Sequence, residues 1–265
     1  MTLRGPRFRR SYDRTNWWIR RSQSDEYQEA YDRIIHFADR NLRKAKTAVD
    51  VGCGPGELLW RLYTQVKSLV GTDMDLDMLR YARRNLTRRG IEVTMIPEVR
   101  ERVGIKKSMI PEDGVLLVRD NILTTELPTG HFDHVLSSFP DLLTYGVFPL
   151  VDPKYGDISP EEIAIYQAFL MRRQMARLLR KRGRITECLY ERDYPDHSRI
   201  FRDFIRDSYG GSVNLKRSKF FEDPSIGADM DDREYYPEEW PSGYTIYTVK
   251  KRGKVELPRI VRATY

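Results

Sequence analysis

Residues 48–60 read AVDVGCGPGELLW, a short apolar run with an acid inside it, three glycines at alternate positions, and then an apolar-periodic stretch. Glycine tolerates φ > 0 and lets backbone approach a neighbour with no Cβ between them. The segment therefore reads as a strand, a tight turn shaped around a ligand, and the helix that the turn feeds. That constrains the whole chain, because such turns belong to sheets of alternating strands and helices that bind at the carboxyl ends of their strands.

The rest of the sequence supports that alternation. Before the turn, residues 24–41 carry Tyr27, Tyr31, Ile34 and Ala38 at one-sided helical spacing, with Ser24 as the N-cap. After it come SLVGTDMD, a strand ending in acids, and a helix that Asp75 can cap and that stops at Gly90. GVLLVRDN and FDHVLSSF read as buried strands, and RITECLY as another. Between the last two, SPEEIAIYQAFLMRRQMARLLRKRG opens with Ser159, Pro160 and Glu162, a capping box with proline at the first helical position. SVNLKRSKFF and GYTIYTVKKRG complete the strands. Apolar strands of this kind predict a doubly wound, mostly parallel, seven-stranded α/β sheet with helices on both faces.

The turn discriminates among ligands. Gly52 and Gly54 fit the dinucleotide pattern G-x-G-x-x-G, but its third glycine falls on Glu57, whose carboxylate would repel a pyrophosphate. No G-K-[ST] follows, so the phosphate-binding Walker pattern is also excluded. What remains is D-x-G-x-G-x-G from Asp50 to Gly56, with a second acid, Asp73, at the next strand end. A ribose beside Asp73 and a cationic tail near Asp50 would satisfy both acids.

VDVGCGPGE followed by GTDMD, VRDNI and FDHVLSSF resembles the class I S-adenosylmethionine-dependent methyltransferase superfamily, over roughly residues 25–250 as strand–helix order. The resemblance implies a Rossmann-like fold, S-adenosyl-L-methionine as cofactor and S-adenosyl-L-homocysteine as product. It also implies roles: backbone of Gly52, Cys53, Gly54 and Gly56 under the methionine moiety, with Asp50 near its amino group. Asp73 would bind the ribose and Met74 the adenine face, Asp120 would accept from the adenine amino group beside Asn121, and Ser138 and Phe139 would stand at the mouth where the methyl leaves.

Three stretches depart from a plain family pattern. Residues 91–114 are expected to extend or cover one sheet edge, 141–157 to form a loop over the acceptor mouth, and 222–242 to separate the last two strands. The chain is thus divided into a basic N-terminal arm, 1–23, and a methyltransferase domain, 24–265. The net charge of +7 sits mostly in the arm, where seven arginines before Ser22 face one acid, Asp13. Arg172–Arg184 holds seven further basic residues and no acid, while Glu222–Glu239 holds eight acids against Arg233. These blocks read as solvated faces or as a surface for an anionic partner.

No apolar run approaches the ~18–20 residues of a membrane span, and no apolar signal region follows the charged N-terminus. The two cysteines, Cys53 and Cys188, suit a reduced compartment, and a cytoplasmic protein is expected. No cysteine–histidine cluster has zinc spacing, so no metal is expected. Tyr145, Glu191 and His197 are the candidate bases, whereas His131 and His134 fall at the opposite strand ends. Tyr12, Trp17, Trp18 and Tyr145 are candidate acceptor contacts. The favoured reading is methyl transfer to a small acceptor, an anionic one among the candidates, helped by the absence of an N/D-P-P-Y tetrad where SSFP stands. Methylation of RNA through the basic arm is the competing enzyme, and a non-catalytic binding module the third reading.

Overall fold

The computed structural model describes residues 11–97, 104–139, 160–192, 197–223, 225–226 and 241–257. The loop predicted over residues 141–157 lies outside them, as does most of 222–242.

The elements alternate as the sequence pattern requires. Helices α1 (Ser11–Ser22) and α2 (Asp25–Leu42) precede β1 (Thr47–Val51), α3 (Glu57–Tyr63), β2 (Ser68–Asp73) and α4 (Leu76–Arg88). Then follow β3 (Val93–Ile96), β4 (Gly114–Arg119) and β5 (Phe132–Ser138). The chain continues through α5 (Pro160–Leu178), β6 (Leu179–Arg192), α6 (His197–Ser208), β7 (Val213–Glu222) and β8 (Ser242–Lys251). The strands form one sheet in the order β3-β4-β2-β1-β5-β6-β8-β7. All neighbours pair parallel except β8, which runs antiparallel to both β6 and β7.

The sheet has eight strands, not the expected seven. The extra one is β3, within the 91–114 excursion, where Val93–Ile96 pairs with Val115–Val118 of β4. Its four residues are at most half-buried, so no continuous apolar run marked it as a strand. It prolongs the sheet edge, one of the two outcomes expected of that excursion.

Side-chain alternation along the strands splits the core into two layers. Ala48, Leu69 and Leu117 face α2, α3 and α4, with Ile34, Leu59 and Leu79 among their partners. Val49, Val70 and Val118 face the other way, toward Met171 and Met175 of α5 and Phe201 and Ile205 of α6. Asp75 caps α4 as predicted, accepting from the backbone N–H groups of Asp77 and Met78. Gly90 follows α4 at φ 77°.

The Arg172–Arg184 block is not one solvated face. Arg172 is 3% exposed and forms a two-pronged ion pair with the fully buried Glu187, Nε to Oε2 at 3.1 Å and Nη2 to Oε1 at 3.0 Å. Tyr247 and Tyr209 donate their hydroxyls to the same carboxylate. Arg177 reaches the carbonyls of Leu127 and Thr125 and the Thr129 hydroxyl. Only Arg180, Lys181 and Arg182 of the block are exposed.

A buried carboxylate with three donors is stable only while its partners remain. Arg172→Ala is expected to lower unfolding free energy by about 3–5 kcal/mol, read by urea denaturation, because it strands Glu187 in a site water does not reach.

Candidate functional site

The site is built at the carboxyl ends of β1, β2, β4 and β5. β1 ends at Val51, and the chain then turns through Gly52 and Gly54 at φ 71° and 49°. A Cβ at either glycine would meet no atom within 4 Å. The left-handed backbone, and not crowding by protein, therefore requires glycine there, and open space lies above both. Gly56 differs. At φ 81° it faces away from that space, and its Cβ would come 3.2 Å from the Cβ of Ala82 on α4. It lets helix and turn pack closely and does not line the cavity.

Asp50 lies beneath the turn, fully buried, and neither carboxylate oxygen has a hydrogen-bond partner among the described residues. Burial pushes its carboxyl well above the usual range, and the nearby Asp73 adds to the shift. Asp73 ends β2. Its Oδ2 accepts from Gly54 N at 2.9 Å and its Oδ1 from Asp75 N at 2.9 Å, so one carboxylate ties the turn to the cap of α4. Burial also raises Asp120, past the end of β4, which accepts from the Thr125 hydroxyl. The side chain of Asn121 accepts from Leu123 N at 3.0 Å and caps the short turn that follows.

Gly52, Cys53, Gly54, Asp73, Met74, Asp120, Asn121, Ser138 and Phe139 all border one cavity of ≈ 140 Å³. Cys53 is buried and its thiol is pushed up by burial and then by Asp73 and Asp50, so it is not a nucleophile here. Trp18 and Ser22 of α1 roof the cavity, and Tyr31, Gln167 and Met171 complete its walls. Thr15 holds α1 in place by donating to Asp75 at 2.8 Å. The basic arm is therefore partly a helix packed over the carboxyl edge.

Phe139, expected at the mouth, occupies the left-handed region at φ 50° and is 4% exposed. Its ring packs 4.8 Å from Tyr190 and 5.1 Å from Tyr27, whose hydroxyls hydrogen-bond to each other. Arg21 donates to Tyr27 at 2.7 Å and lies over the ring of Trp17 at 4.7 Å. Burial raises both tyrosines, which keeps them protonated as donors.

Glu191 stands in β6 opposite Gly243, and His197 opens α6. Tyr12 lies in α1. The side chains of these three, and all of Tyr145, fall outside the described residues. His134 is buried at the other end of the sheet, its Nε2 3.0 Å from the Thr186 hydroxyl. Among the described residues no group of histidine, cysteine and carboxylate side chains could hold a metal ion.

Sequence reasoning missed the role of Glu57. Its carboxylate turns away from the cavity and accepts from Trp60 Nε1 at 3.0 Å, Asn85 Nδ2 at 3.0 Å and Arg61 Nη1 at 3.4 Å. Arg61 in turn reaches Asp32 and Gln28 of α2. The acid that disqualified a pyrophosphate thus anchors the turn from behind, and the Glu–x–x–x–Arg spacing on α3 was the available signal.

Residues 48–104 match the methyltransferase domain family. Comparison with curated proteins gives no match. Among solved structures, the (4+2)-cyclase SpnF is 14% identical, with a TM-score of 0.56 over 87% of this chain and 84% of that one. The N-methyltransferase NodS of Bradyrhizobium japonicum, in complex with S-adenosyl-L-homocysteine, is 12% identical, with a TM-score of 0.53 over 88% of this chain and 91% of that one. The geranyl diphosphate C-methyltransferase of Streptomyces coelicolor, also solved with S-adenosyl-L-homocysteine, is 12% identical, with a TM-score of 0.53 over 87% and 84%. The fold is shared with these structures, two of them methyltransferases solved with S-adenosyl-L-homocysteine, and residues 48–104 match the methyltransferase domain family. No described helix is long and apolar enough to cross a membrane.

Replacing Glu57 by alanine leaves Arg61 buried with a single exposed carboxylate partner, Asp32. Glu57→Ala is expected to cost about 3 kcal/mol in chemical denaturation, and to loosen the turn without removing any atom from the cavity.

Proposed function

We propose that this protein is an S-adenosylmethionine-dependent methyltransferase acting on a small-molecule acceptor. Asp50 carries the reading. A fully buried carboxylate with neither oxygen hydrogen-bonded among the described residues is costly, and it sits beneath two glycines at which an added Cβ would meet no atom within 4 Å. A cationic amino-acid tail laid on that turn resolves the cost. The fold alone would not suffice, since the cyclase SpnF shares it.

The residues fit the cofactor in order along the sheet edge. Gly52, Cys53 and Gly54 would pass under the amino-acid moiety with Asp50 below its ammonium. Asp73, fixed by two backbone donors, would offer its carboxylate to the ribose hydroxyls. Met74 would cover the adenine. Asp120 would accept from its amino group, and Asn121, with its carbonyl oxygen engaged by Leu123, has only its amide N–H groups to offer. When bound, the cofactor supplies a methyl group made electrophilic by the positive sulfur.

Transfer would be an in-line displacement, the acceptor's lone pair bonding to the methyl carbon as the carbon–sulfur bond breaks and its electron pair goes to sulfur, with the residues that border the cavity holding the two reactants in line. Alignment and exclusion of water supply much of the rate gain. Ser138 and Phe139 border the cavity from β5, and the rings of Tyr27 and Tyr190 brace Phe139. An acceptor O–H or N–H must also lose a proton; Glu191, His197 and Tyr145 are the candidates to take it. Tyr27 and Tyr190 are not proposed for it, since their buried hydroxyls are engaged with each other and, at Tyr27, with Arg21.

The roof supports a small acceptor. Trp18 and Ser22 of α1 border the cavity, which would place that helix over the space an acceptor enters. A roofed site of this kind favours a compact acceptor over a polymer.

Transfer of radiolabelled methyl from S-adenosylmethionine into a fractionated cell extract tests the reading: label in the metabolite fraction is expected, and label confined to ribonuclease-sensitive material would overturn the acceptor class. Gly54→Val is expected to abolish S-adenosylhomocysteine binding in calorimetry, and Asp73→Ala to weaken it at least tenfold, both with the fold retained. Wild-type affinity in both variants would refute the site.

Proton linkage gives a sharper check. Without ligand the Asp50 carboxyl is raised, and a cation placed beside it lowers that pKa. Binding therefore expels a proton at pH values between the two, and affinity rises with pH across that window. Calorimetry in buffers of different ionisation enthalpy should report proton release for the wild type and none for Asp50→Asn.

A further inference from the structure

A second concave surface lies at the amino ends of the strands, on the opposite edge of the sheet from the cofactor cavity. It is a cleft of ≈ 650 Å³. Arg40 and Lys44 enter it from the end of α2, and Lys216 and Arg217 from β7; all four are exposed. Between these lies an irregularity in β6. Leu179 pairs with Phe132 and Arg184 with His134, so the four residues Arg180–Gly183 stand against the single residue Asp133 and loop outward. That loop carries Arg180, Lys181 and Arg182 to the cleft. Bulges of this kind re-aim side chains and recur at functional sites.

Asp133 is the one carboxylate on the cleft lining, and it is already engaged. It pairs with Arg180 and accepts from the backbone N–H groups of Lys46 and Thr47. The remaining cations have no carboxylate partner among the described residues. Two local costs are tolerated to keep them there. Arg182 holds a left-handed φ of 68°, which side-chain-bearing residues seldom adopt. Arg184 sits directly opposite Lys250 across the β6–β8 pair, and facing like charges weaken a sheet. Burial and then the field of Arg40 lower the pKa of Arg184, and His134 is held down to about 3 by burial, Arg184 and Arg217. The cations repel one another, and nothing in the described fold rewards their proximity.

We propose that this cleft binds the phosphodiester backbone of a nucleic acid. Cations delivered from three separate elements along an open cleft match a row of phosphates better than one compact anion, and a concave floor does not suit a flat anionic membrane. The cleft offers charge without a stacking platform: its neighbouring aromatic, Phe37, is covered by the Arg217 guanidinium at 3.9 Å. It therefore reads backbone and not base sequence. The strands separate it from the cofactor cavity by roughly 15 Å at about 3.3 Å per residue. It anchors the protein to a polymer independently of what is methylated, and the proposal does not rest on the methyltransferase reading.

Fluorescence anisotropy with a labelled 20-nucleotide single-stranded RNA, the DNA of the same sequence, and polyglutamate of similar charge tests it across a salt series. Binding of RNA, DNA or both is expected, with log affinity falling linearly in log salt at about −0.7 per phosphate contacted. The preference between the two identifies which nucleic acid supplies the phosphates. Arg40→Glu combined with Lys44→Glu, and separately Lys216→Glu, should each lower affinity at least tenfold and flatten the slope. S-adenosylhomocysteine affinity and melting temperature should be unchanged in these variants, and Arg80→Glu on α4 should bind like the wild type. Failure to bind either nucleic acid, equal affinity for polyglutamate, or equal loss in the α4 control would overturn the proposal. Intact nucleic-acid binding in a protein that transfers no methyl group would leave it standing.

Discussion

The carboxylate of Asp73 is bonded to Gly54 N on one side and Asp75 N on the other, and much of the site depends on that arrangement. It fixes the turn after β1 to the end of β2, and through Asp75 it fixes the start of α4 and the Thr15 contact of α1. The glycines can adopt left-handed backbone, but glycine alone specifies nothing, because its freedom includes many other conformations. The carboxylate selects one of them. On the far side of the turn, Glu57 and Arg61 lock α3 to α2 and α4. The loop under the proposed cofactor is therefore held from front and back by acids, while Asp50 between them has no hydrogen-bond partner among the described residues.

Charge is sorted along the strands. Asp50, Asp73 and Asp120 gather toward the carboxyl edge, while Arg40, Lys44, Arg184 and Arg217 gather at the amino edge. A parallel sheet makes such sorting possible, because each strand delivers its beginning to one edge and its end to the other. In these groups the two edges are opposite in charge, as the proposed cationic, hydroxylated cofactor at one and the proposed polyanion at the other would require. The formal +7 conceals this, since a net charge is a sum and says nothing about separation.

What was legible in the sequence follows from how local each feature is. The glycine turn, the acids at successive strand ends, the Asp75 cap and the strand–helix alternation are encoded within a few residues each, and all appear where the pattern put them. β3 was missed because an edge strand half open to solvent has no apolar run to announce it. Gly56 looked like its two neighbours in the motif, yet it faces Ala82 instead of the cavity, and only the direction of its Cβ distinguishes it. The Arg172–Arg184 block looked uniform because its ionic partners, Glu187 above all, come from another element and meet it only on folding.

Glu187 also explains how the far layer of the core supports the site. Gln167 and Met171 of α5 form a wall of the cavity, and the next residue, Arg172, is held by Glu187 on β6. Tyr209 and Tyr247 converge on the same carboxylate, from beside α6 and from β8. An apolar cluster could fill that volume at no greater cost, and often with gain. What it could not do is fix a direction: a two-pronged guanidinium–carboxylate pair sets the rotation and height of α5 on the sheet, whereas methyl groups slide. The position of the cavity wall is in this way set by a buried charge pair that does not itself border the cavity, and the price is a core that tolerates no loss of either partner.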